Sequence, residues 1–321
     1  MSLVNRKPLV SLVLGLLAVL LNLLTGLPAL VIGLTGLREI NSSEGRLSGR
    51  WMCIVGISMG ILVLVLDLVA FGAYAIMKAR QTSALYACQN NLRQIGQAVN
   101  MYQTEHGTFP PGTILNASLR PDQRLSWLAS LLPYYVDMEA QRRKVAPSAT
   151  SFFDISAGIN LGQAWDSRAN RESTARPLGP FICPSHPKNL GMEPGGSPGL
   201  TFYVGIAGIG SNAAELPLSD PNCGFFGYER RIAPDDVPRG TSYTMMACET
   251  SRQNGPWAEG GFATVRGLVD PDDLPYTGGG RPFGGLHPGV ANRLFADGNV
   301  QPFRDTGSAK EFAALASLAE G

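Results

Sequence analysis

Two long apolar runs near the N-terminus constrain this chain more than any other feature. The first, Pro8–Leu37, has no charged side chain, and the second, Trp51–Met77, has one, Asp67. A helix of about thirty residues would measure about 45 Å, more than the roughly 30 Å hydrocarbon core of a bilayer. Residues 25–28 (Thr-Gly-Leu-Pro) interrupt the first run, which therefore forms either one long tilted span or two short helices folded at that break. Because a second span follows closely, the runs predict a membrane anchor rather than a cleavable signal peptide.

Basic residues beside these runs set the expected orientation, since Lys and Arg favour the cytoplasmic side of a membrane. One pair precedes the first run and a second group follows it: Arg6 and Lys7, then Arg38, Arg46 and Arg50. Both groups can be cytoplasmic only if the first run enters the membrane and returns as a hairpin. Everything after residue 80 then lies outside, which is the placement we expect, although Lys78 and Arg80 favour the opposite one. Two plain spans would instead leave the large domain in the cytoplasm.

Asp67 stands inside the second apolar run. A charged side chain at the bilayer centre costs about 2.5–3.5 kcal/mol on insertion scales. Two interpretations remain open: Asp67 contacts another membrane protein, or it lies near one face of the bilayer and reaches the headgroups.

A narrow apolar stripe follows the second run. Its members are spaced three and four residues apart: Leu85, Cys88, Leu92, Ile95, Val99 and Tyr102. This spacing is typical of an amphipathic helix. His106-Gly107 and Pro110-Pro111 mark its end. Since nothing from residue 51 to 103 forces a break, the sequence predicts one helix that continues from the membrane into the globular part, over about residues 51–106.

Several blocks of the chain carry a resemblance to a known family. They include CQNNLRQIGQAVNMYQTEHGTFPPG (88–112), FICPSHP (181–187), TFYVGIAGIG (201–210) and FGGLHPGVANRLFADGNV (283–300). Over roughly residues 60–318 the chain resembles the bacterial prepilin-like (pseudopilin-like) family of unknown function with a His-nine-residue-Asp-Gly motif. The first fifty-odd residues are similar to a small two-helix membrane domain of unknown function.

The resemblance implies an α+β fold in which a long pilin-like helix packs on a sheet. One departure concerns processing: pilin-like proteins begin with a short basic leader and a Gly-Phe-Thr-Leu-x-Glu site, and Gly49-Arg50-Trp51 stands at the corresponding place here. We therefore expect a pilin-like domain that stays anchored by the added membrane module.

The remaining sequence predicts the rest of an α+β protein. Residues 122–141 begin with a helical pattern, in which Pro133 ends or kinks the first part. From residue 201 onward, short β-branched and aromatic runs alternate with turns, which indicates an antiparallel sheet. Ser308 and Glu311 form a capping-box pattern for a terminal helix. The expected organisation is a membrane hairpin or span with a linker (1–50), the long helix (51–106) and an extracytoplasmic domain (107–321).

Five cysteines are present, one of them in the second apolar run: Cys53, Cys88, Cys183, Cys223 and Cys248. The last four allow three disulfide pairings, and an extracytoplasmic domain would permit them. The family resemblance places Cys88 and Cys183 in its stronger blocks, which makes this pair our first choice and Cys223 with Cys248 the second. The sequence shows no spacing typical of zinc ligands, so no metal is expected from the cysteines.

The motif of His287 and Asp297-Gly298 has competing interpretations. Asp-Gly between two short strands favours a hairpin corner with both central residues at positive φ. His287 would then lie roughly 30 Å away along a straight strand, or bend back through Pro288-Gly289. A catalytic pair would need hydrogen-bond contact and a nucleophile, and the Gly-x-Ser-x-Gly motif of hydrolases is not found in the sequence.

Two binding hypotheses compete with this structural interpretation. The turn aspartates could hold Ca²⁺, because loop carboxylates suit that ion: Asp235, Asp236, Asp270, Asp272, Asp273 and Asp297. The aromatic residues Trp165, Trp257 and Tyr276 could line a groove for a saccharide.

From these features we expect an inner-membrane protein with an extracytoplasmic C-terminal domain. The resemblance implies a structural or surface-assembly role without catalytic activity, with the membrane and other pilin-like or secretion-type membrane proteins as partners. The alternative is an extracytoplasmic module that binds a saccharide or another solute. The net charge of +1 gives no electrostatic argument for nucleic acid.

Overall fold

The computed structural model of the chain describes Val10 and residues 23–143, 152–186, 199–269 and 275–319. These residues divide into two compact units, Met1–Arg80 and Gln81–Gly321. The arrangement of residues 8–22, the first half of the first apolar run, lies outside the described residues, Val10 excepted.

The first unit contains helix α1 (Leu23–Ser42) and the first part of helix α2 (Arg50–His106). Helix α1 runs through Pro28 without interruption, so the expected break at residues 25–28 is not observed. The two helices approach closely through glycine: a Cβ on Gly60 would lie 3.0 Å from the carbonyl oxygen of Gly26. Small residues are therefore what allows these two backbones to pack.

Helix α2 is long and apolar enough to cross a membrane by length and composition, and only 17% of its most apolar window is buried. It runs continuously from the first unit into the second, which confirms the single long helix predicted from the sequence.

The second unit contains a five-stranded sheet in the order β3-β1-β2-β4-β5. The strands are β1 (Tyr203–Ile209), β2 (Met245–Glu249), β3 (Val265–Leu268), β4 (Val290–Phe295) and β5 (Val300–Arg304). The pairs β1–β2, β2–β4 and β4–β5 are antiparallel, whereas β1–β3 is parallel. The expected antiparallel sheet is therefore mixed, because the chain leaves β2 and crosses to the far edge of β1 before forming β3.

Each face of the sheet has its own core. On one face, the stripe of α2 packs through Leu92, Ile95 and Val99 into a cluster that includes Leu294 of β4. On the other face, Phe312 of the terminal helix packs in a second cluster with residues of β1, β2 and β4. The sheet is thus covered on both sides, as a sheet with two apolar faces requires.

The remaining helices are short: α3 (Trp127–Ser130), α4 (Leu132–Arg143), α5 (Phe152–Ala157), α6 (Arg171–Thr174) and α7 (Ala309–Ala316). The helical pattern predicted over 122–141 forms two helices, with Pro133 in the first turn of the second, where its missing N–H costs nothing. The predicted cap of the terminal helix is confirmed, since the Ser308 hydroxyl accepts a hydrogen bond from the Glu311 N–H.

Candidate functional site

His287 lies in a buried polar cluster between the sheet and helix α2. Only 4% of its surface is exposed, and the chain turns sharply after it, with Gly289 at φ +76°. Its Nε2 atom is 3.4 Å from Cys183 Sγ and 3.4 Å from the Oε1 atom of Glu249. Its Nδ1 atom is 3.4 Å from the Ser185 hydroxyl. The imidazole therefore joins the segment of Cys183 and Ser185 to the carboxylate of Glu249, which lies far from both in sequence.

Glu249 ends strand β2 and is fully buried. Its Oε2 atom accepts a hydrogen bond from the Asn292 N–H at 2.8 Å, and its Oε1 atom accepts one from the Asn292 side-chain amide at 2.8 Å. Asn292 in turn accepts a hydrogen bond from the Gln89 side chain of α2 at 3.1 Å. A buried carboxylate is costly unless it is paired and hydrogen-bonded, and Asn292 and His287 meet that requirement here.

A disulfide joins Cys88 of α2 to Cys183, with the two Cα atoms 5.3 Å apart. Both cysteines are fully buried beside His287. The second expected pair is wrong: Cys223 and Cys248 are free, because they belong to the clusters on opposite faces of the sheet. Burial raises the pKa of both thiols, so neither has the character of a reactive thiolate.

Asp297-Gly298 forms the corner between β4 and β5. Gly298 has φ +87°, and Asp297 is not at positive φ, so the expected two-residue turn is a three-residue loop closed by the Gly298 N–H to Phe295 carbonyl bond. The Asp297 side chain accepts a hydrogen bond from the Asn299 N–H at 2.8 Å, and its carbonyl accepts one from the Asn100 side chain at 3.3 Å. The motif residues are therefore separate: the histidine end of β4 lies beside Cys183, and the Asp-Gly end packs on α2.

Of the three aromatic side chains expected to line a groove, Trp165 and Trp257 pack with the first core and Tyr276 with the second. Trp257 is buried in the first core and donates a hydrogen bond to the Arg176 carbonyl. Trp165 donates one to the Asp122 carbonyl, and Tyr276 packs in the second core. Each anchors a loop or a core, which is the commonest role of such residues.

The expected calcium ligands are also dispersed. The Asp236 carboxylate accepts a hydrogen bond from the Ala233 N–H, and that of Asp297 is used in the hairpin corner. Asp270, Asp272 and Asp273 lie outside the described residues.

In the first unit, Asp67 is half-buried, and within the described part of the chain its Oδ2 atom has no hydrogen-bond partner.

A cleft of about 530 Å³ opens at the C-terminal end of α2. Tyr102 stacks on His106 with ring centres 4.1 Å apart. The Tyr134 hydroxyl donates a hydrogen bond to Glu105 at 2.7 Å, and Arg231 also lines the cleft. Burial and then the Glu105 carboxylate raise the pKa of Tyr134, so this hydroxyl stays protonated at neutral pH. This cleft is not predictable from the sequence, because its lining comes from separate segments; the local signal is the cluster of polar and aromatic residues at the helix end.

Comparison with known proteins adds the following. A family model described as "Protein of unknown function (DUF1559)" matches residues 77–274, more than half of the chain. The matched range includes Cys88, Cys183 and Glu249 and ends before His287. No curated protein and no solved structure matches the chain.

Proposed function

The chain belongs to the DUF1559 family of proteins of unknown function, and on that premise we propose that it is a membrane-anchored, pilin-like structural or surface-assembly protein without catalytic activity. The observation that carries the proposal is helix α2, which is one continuous helix from an apolar, exposed segment to a stripe packed on a sheet. Such a helix serves as an anchor and as part of the domain core at once.

The packing of the first unit supports a membrane location. The buried positions of its two helices are small residues such as Gly26, Ala29 and Gly60, whereas Leu34 and Leu66 are at least half exposed. This distribution is the reverse of a water-soluble helical hairpin. It is the pattern expected in lipid, where close backbone packing rather than burial of large side chains drives helix association.

An extracytoplasmic position of the second unit is supported by two features. Arg46 and Arg50 lie at the turn between α1 and α2, and basic residues favour the cytoplasmic side. The buried disulfide is the second feature, because disulfides persist in oxidising compartments.

The outward face of α2 within the second unit is mostly polar, with Asn90, Arg93 and Gln97 exposed beside one aromatic side chain, Tyr86. Contacts with other pilin-like or secretion-type membrane proteins would therefore use the apolar segment from Trp51 to Met77. Asp67, with an oxygen that lacks a partner in the described residues, would contribute a polar contact to such an interface.

The absence of catalysis can be tested directly, because the contacts run from the Ser185 hydroxyl to the His287 imidazole and on to the Glu249 carboxylate, as they do in the triad of a hydrolase. Both contacts measure 3.4 Å, beyond the 2.6–3.2 Å or so of a bond ready for proton transfer. We expect no hydrolysis of p-nitrophenyl acetate that depends on Ser185. Hydrolysis that Ser185→Ala abolishes, and that Ser156→Ala leaves unchanged, would show that the chain is an enzyme.

Sidedness is tested with single cysteines at exposed positions, since the native cysteines are buried. Ser48→Cys lies in the turn between α1 and α2, and Gln97→Cys lies on the polar face of α2. In spheroplasts, a membrane-impermeant maleimide should label the cysteine at 97 at once and the cysteine at 48 only after lysis. The reverse pattern would place the domain in the cytoplasm and contradict the proposal.

Solute binding is a second candidate, favoured by the cleft at the end of α2. Its stacked rings, one carboxylate and one guanidinium suit a saccharide or a similarly polar solute. Titration calorimetry with the disaccharides maltose and cellobiose would test it. Binding that Tyr102→Ala abolishes, while Tyr243→Ala at an exposed site does not, would establish the cleft as a sugar site. If neither sugar releases or absorbs heat on titration, the cleft is not a site for disaccharides of this kind.

A further inference from the structure

The side chains around the disulfide include four metal-ligand types. Cys88, Cys183, Glu249 and His287 each offer one ligand atom, all four residues are buried, and these atoms all lie within 4.8 Å of one another. Two thiolates, one imidazole and one carboxylate form a donor set that suits Zn²⁺. Such a site is not visible in the sequence, because the four residues come from four separate segments rather than from a short ligand motif.

The distances fit a tetrahedral ion. Tetrahedral zinc with bonds of about 2.0–2.3 Å places neighbouring ligand atoms roughly 3.3–3.8 Å apart. The Nε2 atom of His287 is 3.4 Å from Cys183 Sγ and 3.4 Å from the Glu249 carboxylate, which are two edges of such a tetrahedron. The two sulfur atoms are covalently joined, and all four ligand atoms lie within 4.8 Å of one another.

The ligands are also held by a second layer of hydrogen bonds. Asn292 fixes the Glu249 carboxylate with two bonds of 2.8 Å, and Gln89 fixes Asn292. Ser185 lies 3.4 Å from the other nitrogen of His287 and so directs Nε2 toward the sulfur atoms. Partners of this kind orient the ligands of metal sites and strengthen their affinity.

We propose that this cluster is a redox-gated zinc site, closed while the disulfide is intact and able to bind one Zn²⁺ when it is reduced. A dithiol reductant transfers two electrons and two protons to the Cys88–Cys183 bond, which gives two thiols and the oxidised, cyclic disulfide of the reductant. Zn²⁺ then displaces both thiol protons and binds two thiolates, the imidazole and the carboxylate. This inference does not depend on the proposed structural role.

The test uses the full chain in detergent micelles. One sample is reduced with a water-soluble phosphine, which becomes the phosphine oxide with an oxygen atom from water, and the other stays oxidised. Both are incubated with Zn²⁺, freed of unbound metal by gel filtration, and analysed for zinc per chain by atomic spectroscopy. We expect about one Zn²⁺ in the reduced chain and less than a tenth of that in the oxidised chain. Co²⁺ in place of Zn²⁺ should give a thiolate-to-metal charge-transfer band.

Variants identify the ligands. Cys88→Ser with Cys183→Ser should abolish binding, and His287→Gln should weaken it at least tenfold. The matched control, Cys223→Ser with Cys248→Ser, should keep one Zn²⁺ because neither residue belongs to the cluster.

Two further results would overturn the proposal. One is a reduced chain that keeps its near-UV circular dichroism but binds no zinc, or binds it equally without Cys88 and Cys183. The other is a reduced chain that unfolds and does not regain that signal with Zn²⁺, since an ion bound only by the folded state must stabilise it.

Discussion

Removal of the Cys88–Cys183 disulfide is the perturbation whose effect the structure defines best. The bond spans a sequence separation of 95 residues. In the chain-entropy model, closing a loop of about that length stabilises the folded state by about 4–5 kcal/mol. For a domain the size of the second unit, about 2–4 °C of melting temperature corresponds to each kcal/mol. Cys88→Ala with Cys183→Ala should therefore lower the melting temperature by about 8–20 °C.

The assay is thermal unfolding of the full chain in detergent, followed by the fluorescence of the fully buried Trp127 and Trp257. The matched control is Cys223→Ala with Cys248→Ala, which removes two buried sulfur atoms and leaves the disulfide in place. We expect this control to lower the melting temperature by roughly 4–8 °C, from about 1 kcal/mol for each truncated side chain. A disulfide variant that melts no lower than the control would refute the reasoning, because the loop constraint would then contribute nothing measurable.

Three further predictions concern single residues. Glu249→Gln should lower the free energy of unfolding by about 1–3 kcal/mol in denaturant titrations, because one of the two Asn292 donors would lose its carboxylate acceptor; a double-mutant cycle with His287→Gln that gives additive losses would contradict the contact between the two side chains. Burial, and secondarily the Glu249 charge, raise the pKa of Tyr203 well above its ordinary value, so its stabilising contribution is complete below about pH 10 and is lost as pH rises toward the folded-state pKa. Tyr203→Phe should then shift alkaline unfolding, followed by circular dichroism, to higher pH, and an unchanged or lower midpoint would show that this hydroxyl does not limit stability. Gly298→Ala should cost about 1–2 kcal/mol for its left-handed backbone, and more than Gly107→Ala, which shares a positive φ but has open space where Gly298 has a side-chain amide at 2.9 Å; equal losses would mean that packing of the hairpin on α2 is loose.

The sequence predicts those parts of the fold that depend on local signals. The apolar run and the stripe from Leu85 to Tyr102 join without a break, and the helix Arg50–His106 follows from them. The terminal helix follows from its Ser308 cap in the same way. In both cases the apolar pattern belongs to the helix itself, and the residues that mark one end lie directly beside that end.

The remaining features depend on contacts between distant segments. Strand β3 pairs in parallel with β1 because the chain crosses to that edge of the sheet. No local sequence pattern indicates which edge the chain reaches. Glu249 becomes a partner of His287 only because β2 and β4 are neighbours in the sheet. Aromatic residues present the same difficulty, since composition does not distinguish Trp257 in the core from Tyr102 in the cleft.

The order of the cysteines along the chain has a consequence for biogenesis. Cys53 lies in the apolar part of α2, so Cys88 and Cys183 are the first two thiols to reach the far side if the C-terminal domain is exported from its N-terminal end. They can pair before Cys223 and Cys248 arrive, and the early bond would then be the correct one. Such a chain matures by consecutive oxidation and has little need of a disulfide isomerase.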